Sequence, residues 1–162
     1  ALQSMLRELR FLREEKLHVI RDERQCLKRL KRDKIQGHLQ SIPGVGFHTA
    51  VMLQAELWDL QRFEDKDALS SYVGLAPRLV GSGEHEVLIS AGNRKKKQLH
   101  AILIQAAWRS VLHNLEMRAR YGALLHKGAN PQRAISIIAK KLLYALRAVW
   151  HQERDYVVSA NE

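Results

Sequence analysis

The chain has 162 residues, of which 46% are hydrophobic and 27% charged, a composition typical of one globular domain with or without an extension. Its formal net charge of +10 predicts a polyanionic partner, and a single cysteine, Cys26, excludes an internal disulfide and favours a reducing compartment. No apolar run approaches the roughly 20 residues that cross a bilayer, and the charge spread over residues 1–40 is untypical of a signal peptide, so we expect no membrane partner.

Basic charge lies in the two flanks of the chain. Residues 1–41 hold 11 Lys and Arg against 6 Asp and Glu, whereas residues 42–77 hold 2 against 5. Residues 78–162 hold 14 against 6. The basic character therefore comes from the flanks and not from the middle segment.

Residues 1–40 have the pattern of a long charged helix. Leucines and isoleucine recur at roughly helical spacing, with no Gly or Pro before Gly37. A single helix cannot bury such a stripe on itself, so we predict a coiled-coil arm that pairs with another chain or with another part of the parent protein. An amphipathic helix lying on the domain body is the alternative. The chain opens at Ala1 within this helix, so we expect it to be part of a longer protein.

The stretch "SIPGVGFHTAVML" predicts a helix-hairpin-helix over residues 41–58. Pro43 fixes φ at the turn, and Gly44 and Gly46 permit positive φ and close backbone approach. Such a turn aims the first amides of the second helix at an anion. Because residues 42–61 contain no Lys or Arg, a phosphate contact and a purely structural elbow both remain open.

The stretch "RFEDKDALSSYVGLAPRL" predicts a short helix that ends near Gly74. Asp65 is placed to cap its first turn, where neighbouring acidic side chains complement the helix dipole. Adjacent carboxylates in a first turn are typical of capping, so we favour this interpretation over a metal site and assign no metal ligand.

Residues 75–93 form the longest stretch without helical periodicity. Weak strands, "RLV" and "EVLIS", flank the tripeptide Gly81-Ser82-Gly83. A plain turn is one interpretation of that tripeptide. The other is a serine nucleophile for phosphoryl transfer, because nearby cations would hold a phosphate and offset transition-state charge. The candidate phosphate-binding residues here are Arg78, Arg94, Lys95, Lys96 and Lys97.

The remainder of the chain predicts three helices. The first runs from Arg94 to about Leu115, the second from Met117 to Lys127, and the last from Pro131, a favoured first helical residue, to about His151. We interpret the three tryptophans as core residues. Further phosphate-binding candidates on the polar side of the last helices are Lys127, Arg133, Lys140 and Lys141.

Four blocks together resemble a known family. They are "SIPGVGFHTAVMLQAEL", "RFEDKDALSSYVGLAPRLVGSGE", "GNRKKKQLHAILIQAAW" and "RYGALLHKGANPQRAISIIAKKLL". In this order they resemble the C-terminal domain of the insertion sequence 110/116/902 transposases, which include Piv-type DNA invertases and recombinases guided by a structured bridge RNA. The preceding arm resembles the coiled coil that joins the two halves of these proteins.

The resemblance implies a division of labour between two domains. An N-terminal RuvC-like domain, absent from this chain, would bind Mg²⁺ through an acidic tetrad, and this chain would need no cofactor of its own. Ser82 matches the serine that attacks a DNA phosphate and forms a phosphoserine linkage. The implied partners are DNA, at the element ends and the target, and a structured guide RNA. The implied location is the bacterial or archaeal cytoplasm, at the nucleoid.

These observations predict a mainly all-α fold, with a coiled-coil arm at 1–40, a helical domain at 41–155 and a tail at 156–162. The helical domain would contain the helix-hairpin-helix (41–58) and the long irregular loop (75–93). Two functions remain: the serine-bearing part of a transposase or site-specific recombinase, or a non-catalytic module that binds DNA or RNA and oligomerises through its arm.

Overall fold

A computed structural model describes residues 1–75 and 94–157, with side chains from residue 97 onward in the second range. These residues form helices and no strand, so the all-α prediction is confirmed for the part described. The helices are α1 (Leu2–Arg29), α2 (Asp33–Gln40), α3 (Phe47–Leu57), α4 (Lys66–Val73), α5 (Arg94–His113), α6 (Leu115–His126) and α7 (Pro131–Gln152).

Local capping signals set several helix ends. The Asp65 carboxylate accepts hydrogen bonds from the amides of Asp67 and Ala68, at 2.8 and 2.6 Å, which confirms the predicted cap of α4. Gly74 ends α4 with a left-handed φ of +78°. Asn130 caps α7 ahead of Pro131, so the predicted start of the last helix is also confirmed.

The core forms where α5 and α7 pack against each other, with α6, α4, α2 and α3 around them. Small side chains on α5, Ala106 and Ala107, and Ala139 on α7 are fully buried and permit close helix approach. Helix α7 turns one face inward, and its large buried side chains lie on that face. These are Ile135, Ile138, Leu142, Leu143, Leu146 and Val149.

The N-terminal region is two helices and not the single helix predicted. Helix α1 ends at Arg29, and Lys31 takes a left-handed φ of +56°. The Arg32 amide then donates to the Leu27 carbonyl at 2.9 Å, which closes the helix end. The next helix, α2, contacts α3 and α7 and buries Leu39, so it belongs to the domain body. Only α1, about 42 Å long at 1.5 Å per residue, extends as an arm.

The prediction that all three tryptophans are core residues is wrong for two of them. Trp58 is 53% exposed and Trp108 is 43% exposed, whereas Trp150 is partly buried against the core. Trp58 follows the last residue of α3 with a φ of +43°, and Trp108 meets Tyr121 edge-on at 5.4 Å. Helical spacing could not reveal the exposure of Trp58, because this residue lies beyond the end of its helix.

The segment after α7 returns to the body of the domain. Asp155 contacts the His38 ring at 2.7 Å, and the Tyr156 amide donates to the Ser41 hydroxyl at 2.7 Å. Tyr156 itself packs against the core. The predicted tail at 156–162 therefore begins with an anchored residue. No helix in the described parts of the chain is long and apolar enough to cross a membrane.

Candidate nucleic-acid interface

The predicted hairpin turn lies directly on α5. Gly44 has a φ of +93°, and a Cβ added there would come within 2.6 Å of the Ser110 hydroxyl and 2.8 Å of its Cα. Ser110 is buried and donates a hydrogen bond to the Pro43 carbonyl. Glycine is needed at this position for both conformation and space.

A buried glutamine pair holds α2 against α3. The Gln54 side-chain amide donates to the Gln36 side-chain carbonyl at 2.5 Å, and the Gln36 amide donates to the Phe47 backbone carbonyl at 2.9 Å. Both glutamines are buried, so these bonds replace part of the hydration that the two side chains have lost, although the Gln54 Oε1 atom has no hydrogen-bond partner among the described residues. The pair therefore fixes the first turn of α3 relative to α2. Sequence reasoning missed it, since neither glutamine differs in type from a surface residue.

Helix α3 begins without a side-chain cap. Its N-cap residue is Gly46, in extended conformation, and the structure gives no side-chain hydrogen bond to its first-turn amides within the described residues. Uncapped first-turn amides carry partial positive charge and suit an anionic oxygen. An anion could bind these amides, and the phosphate contact at the hairpin stays a prediction.

A cation from α5 lies beside this turn. Arg109 and His113 line a pocket of about 290 Å³ together with the hairpin backbone from Pro43 to Gly46. The Arg109 guanidinium donates to the Thr49 hydroxyl at 3.3 Å, which directs it to the first turn of α3. The positive charge absent from the hairpin sequence is thus supplied by tertiary structure. The available signal was the spacing of four between Arg109 and His113, which places both on one helix face.

The base of the arm also approaches α3. Glu23 of α1 lies 3.3 Å from the His48 ring, and the Arg24 guanidinium stacks on Phe47 at 5.1 Å. These contacts join α1 to the same helix end that forms the hairpin pocket. The base of the arm and the hairpin pocket therefore lie against the same end of α3.

Two predicted phosphate-binding lysines are engaged by carboxylates of the domain. Lys140 lies 3.3 Å from Asp67, and Lys141 lies 2.5 Å from Glu116. The Tyr144 hydroxyl and then Lys140 lower the pKa of Asp67 by hydrogen bonding. Hydrogen bonds with Lys141 and, less strongly, with Arg120 lower the pKa of Glu116, while the partial burial of this carboxyl acts in the opposite direction.

The hydrogen bond with Tyr144, followed by that with Asp67, raises the pKa of Lys140. Lys140 and Lys141 therefore stabilise contacts between α7 and the helices α4 and α6, and any phosphate contact would compete with those bonds. Their predicted role in phosphate binding stays a prediction.

Other candidates are distributed over the surface. Lys97 is exposed in the second turn of α5, and Arg133 is exposed in the first turn of α7. Lys127, which follows α6, lines a groove of about 210 Å³ that also contains Arg120 and Lys141. Lys127 and Lys141 thus share one groove, whereas none of the predicted cations whose side chains are described lines the hairpin pocket.

Several predictions fall outside the described residues. Ser82, Arg78, the weak strands and the long loop of residues 75–93 lie there almost entirely, as do the side chains of Arg94, Lys95 and Lys96. Their assignments as nucleophile and phosphate ligands stay predictions. Within residues 1–75 and 94–157, no three His, Cys, Asp or Glu side chains form a group that could hold a metal ion.

The sequence of the chain is similar to those of known transposases. Residues 36–122 match the model of the Transposase IS116/IS110/IS902 family. The chain is 34% identical over 98 residues to the transposase for insertion sequence element IS1111A of Coxiella burnetii (strain RSA 493 / Nine Mile phase I), across 60% of this chain and 27% of that protein.

It is also 30% identical over 97 residues to the transposase for insertion sequence element IS1328 of Yersinia enterocolitica, across 60% of this chain and 29% of that protein. The matched part thus spans less than a third of either relative's length. The hairpin and its Arg109 partner both fall inside the residues matched to the family.

Proposed function

The chain belongs to the IS116/IS110/IS902 transposase family, and we propose that it holds DNA and supplies a serine nucleophile for strand exchange. The hairpin pocket supports the first claim of this proposal, that the chain holds DNA. The second claim rests on the match of "GLAPRLVGSGE" to the serine-bearing motif of the family. The names of the two relatives, both transposases of insertion sequences, support DNA as the substrate.

DNA would be held through its backbone at the hairpin. The uncapped amides of α3 and the Arg109 guanidinium offer several donors to one phosphate, and His113 adds another polar group. No base edge needs to be read for such a contact, so it would position DNA without selecting a sequence. A structured RNA has the same backbone charge and would be a second ligand for this site.

Ser82 would perform the covalent step. Its hydroxyl oxygen forms a bond to a DNA phosphorus, and the bond from that phosphorus to a deoxyribose oxygen breaks. Overall, the serine proton passes to the leaving deoxyribose oxygen, and reversal on another strand regenerates serine. Arg78 and Arg94 to Lys97 would stabilise the charge on the phosphoryl oxygens.

The Mg²⁺ that the resemblance implies has no counterpart in the described residues, which offer no group of ligands for it. We therefore derive no step through a metal ion in this chain. The acidic tetrad is expected in a domain outside this chain, since the relatives extend well beyond the matched part.

Ser82→Ala in the full-length transposase separates the two functions. We expect DNA binding to stay within about twofold and strand exchange to be lost by more than about 10³-fold, as for removal of a nucleophile. Nicked suicide substrates carrying the element ends, followed by digestion and mass spectrometry, would locate the DNA-linked peptide at Ser82.

The matched control is Ser71→Ala, which removes an exposed serine from α4 and should leave both activities unchanged. Unimpaired strand exchange in Ser82→Ala would exclude the nucleophile assignment. The chain would then act as a non-catalytic module that binds nucleic acid and oligomerises.

A further inference from the structure

Three helices end around one polar pocket of about 530 Å³. The C-termini of α1, α3 and α7 contribute Lys31, Trp58 and Glu153 to its lining, and Asp59 and Trp150 complete much of the wall. This pocket lies at the opposite end of α3 from the hairpin pocket, a helix length of about 16 Å away. The two pockets therefore lie within reach of one nucleic-acid chain.

The backbone around this pocket takes positive φ at three non-glycine residues, two of them at ordinary helix ends. Lys31, Trp58 and Glu153 have φ values of +56°, +43° and +46°. They are the non-glycine residues with positive φ within residues 1–75 and 94–157, and all three line this one pocket. Trp58, with a ψ of −60°, lies outside the left-handed helical region, and backbone strain of this kind is found at ligand sites.

A cation of the chain itself already fills the slot between the indoles. The Arg32 guanidinium lies 4.3 Å from the centre of the Trp58 ring and 5.8 Å from that of Trp150. Its Nη1 atom is buried and has no hydrogen-bond acceptor among the described residues. Arg32 thus occupies the space between the two indoles that another cation would need. The pocket still offers the unsatisfied Arg32 guanidinium and the Trp58 indole, which is 53% exposed.

The electrostatics of the pocket disfavour a phosphate. The Asp59 and Glu153 carboxylates oppose Lys31 and Arg32, and three helix C-termini add partial negative charge. A neutral flat ring fits better, because it can stack on Trp58, accept from Arg32 and donate N–H groups to a carboxylate. Nucleobases combine these properties.

We propose that this pocket binds one unpaired nucleobase, stacked on the exposed part of the Trp58 indole beside Arg32 and hydrogen-bonded to that guanidinium. Guanine should bind best, because its O6 and N7 atoms accept from an arginine while its amino group donates to a carboxylate. The site would thus hold an unstacked base from DNA or RNA, in addition to the backbone contact proposed at the hairpin.

The test compares duplexes with and without one bulged nucleotide. The 162-residue chain is titrated with a fully paired DNA duplex and with the same duplex carrying a single bulged G, A, C or T, at constant salt. We expect about tenfold tighter binding of the bulged-G duplex than of the paired one, the size of one base–aromatic stack. Bulged RNA duplexes of the same sequence distinguish the two sources of the base.

Variants assign the preference to this pocket. Trp58→Ala should abolish the preference while leaving affinity for the paired duplex within about twofold, and Trp58→Phe should restore part of it. Arg32→Lys keeps the charge but removes the planar guanidinium, so it should reduce the advantage of G over T. Trp108→Ala is the matched control, an exposed tryptophan outside the pocket, and should keep the full preference.

An equal affinity of the wild-type chain for paired and bulged duplexes would overturn the proposal, as would a preference unaffected by Trp58→Ala. Circular dichroism checks that each variant is folded. If the chain bound bulged substrates but no paired duplex, the hairpin contact would be contradicted and the base site would stand.

Discussion

Position 44 illustrates a residue whose type is decided by a neighbour distant in sequence. Its φ of +93° already favours glycine, but the space for a side chain is also taken by the buried Ser110, 66 positions later. Ser110 in turn donates to the Pro43 carbonyl, so the turn and α5 support each other. A substitution here would shift the hairpin away from Arg109 as well as strain the turn.

Gly44→Ala should therefore lower the free energy of unfolding by about 2–4 kcal/mol, from overlap with Ser110 and from positive φ. Urea denaturation at a fixed protein concentration measures the change. The matched control is Gly37→Ala, within α2, where an added Cβ would meet nothing within 4 Å. It should raise stability by about 0.5–1 kcal/mol, because alanine favours a helix. Equal effects of the two changes would contradict the close approach at position 44.

Among the elements, α1 buries little of its surface for a helix of 28 residues. Leu27 is its one buried residue, although leucines recur along its whole length. Exposed large apolar side chains occupy most of one side of the arm. They are Leu2, Leu6, Leu9, Leu12 and Leu17. We propose that this stripe pairs with the arm of a second copy, since a coiled coil would bury it.

Self-association should fail when the stripe is made polar. Leu6→Lys with Leu9→Lys is expected to convert an oligomer at tens of micromolar concentration to a monomer in analytical ultracentrifugation. The folded body should be unaffected, because neither leucine is buried in the chain. The control is Ser4→Lys with Glu15→Gln, which adds the same charge on the opposite side of the helix at 100° per residue. A wild-type chain that is monomeric at this concentration would exclude the arm's proposed role.

At the scale of the whole molecule, folding places a positive charge of α5 beside the hairpin. The hairpin segment has no Lys or Arg, but α5 crosses beneath it and places Arg109 and His113 in the same pocket. Other basic residues lie on α6 and α7, where some are already paired with carboxylates. The contribution of each cation to binding thus depends on its partner, and net charge alone does not rank them.

Salt dependence can identify the cations that contact phosphate. We expect the logarithm of the DNA association constant to fall linearly with the logarithm of salt concentration, with a slope reduced by about one in Arg109→Ala. Arg7→Ala removes the same charge from an exposed site near the start of α1 and should leave the slope unchanged. An unaltered slope in Arg109→Ala would show that this arginine makes no phosphate contact. The slopes are obtained from binding titrations at several salt concentrations.

Local signals were sufficient for most helix ends. Asp65, Gly74 and Pro131 act within one turn of chain, so their roles could be predicted from neighbouring residues alone. The break between α1 and α2 could not, because no Gly or Pro marks residues 30–32. It follows from burial of Gln36 and Leu39 against other helices, which turns α2 onto the body.

The amino-acid sequence by itself determined the helical class, the basic flanks and the family, because each depends on residue type at short spacing. Only the tertiary structure decided that Arg109 joins the hairpin, that Lys140 and Lys141 are paired with carboxylates, and that Trp58 lies exposed beside Arg32. These contacts join residues from separate helices. Such contacts form only when the chain is folded, so a pattern of neighbouring residues in the sequence cannot predict them.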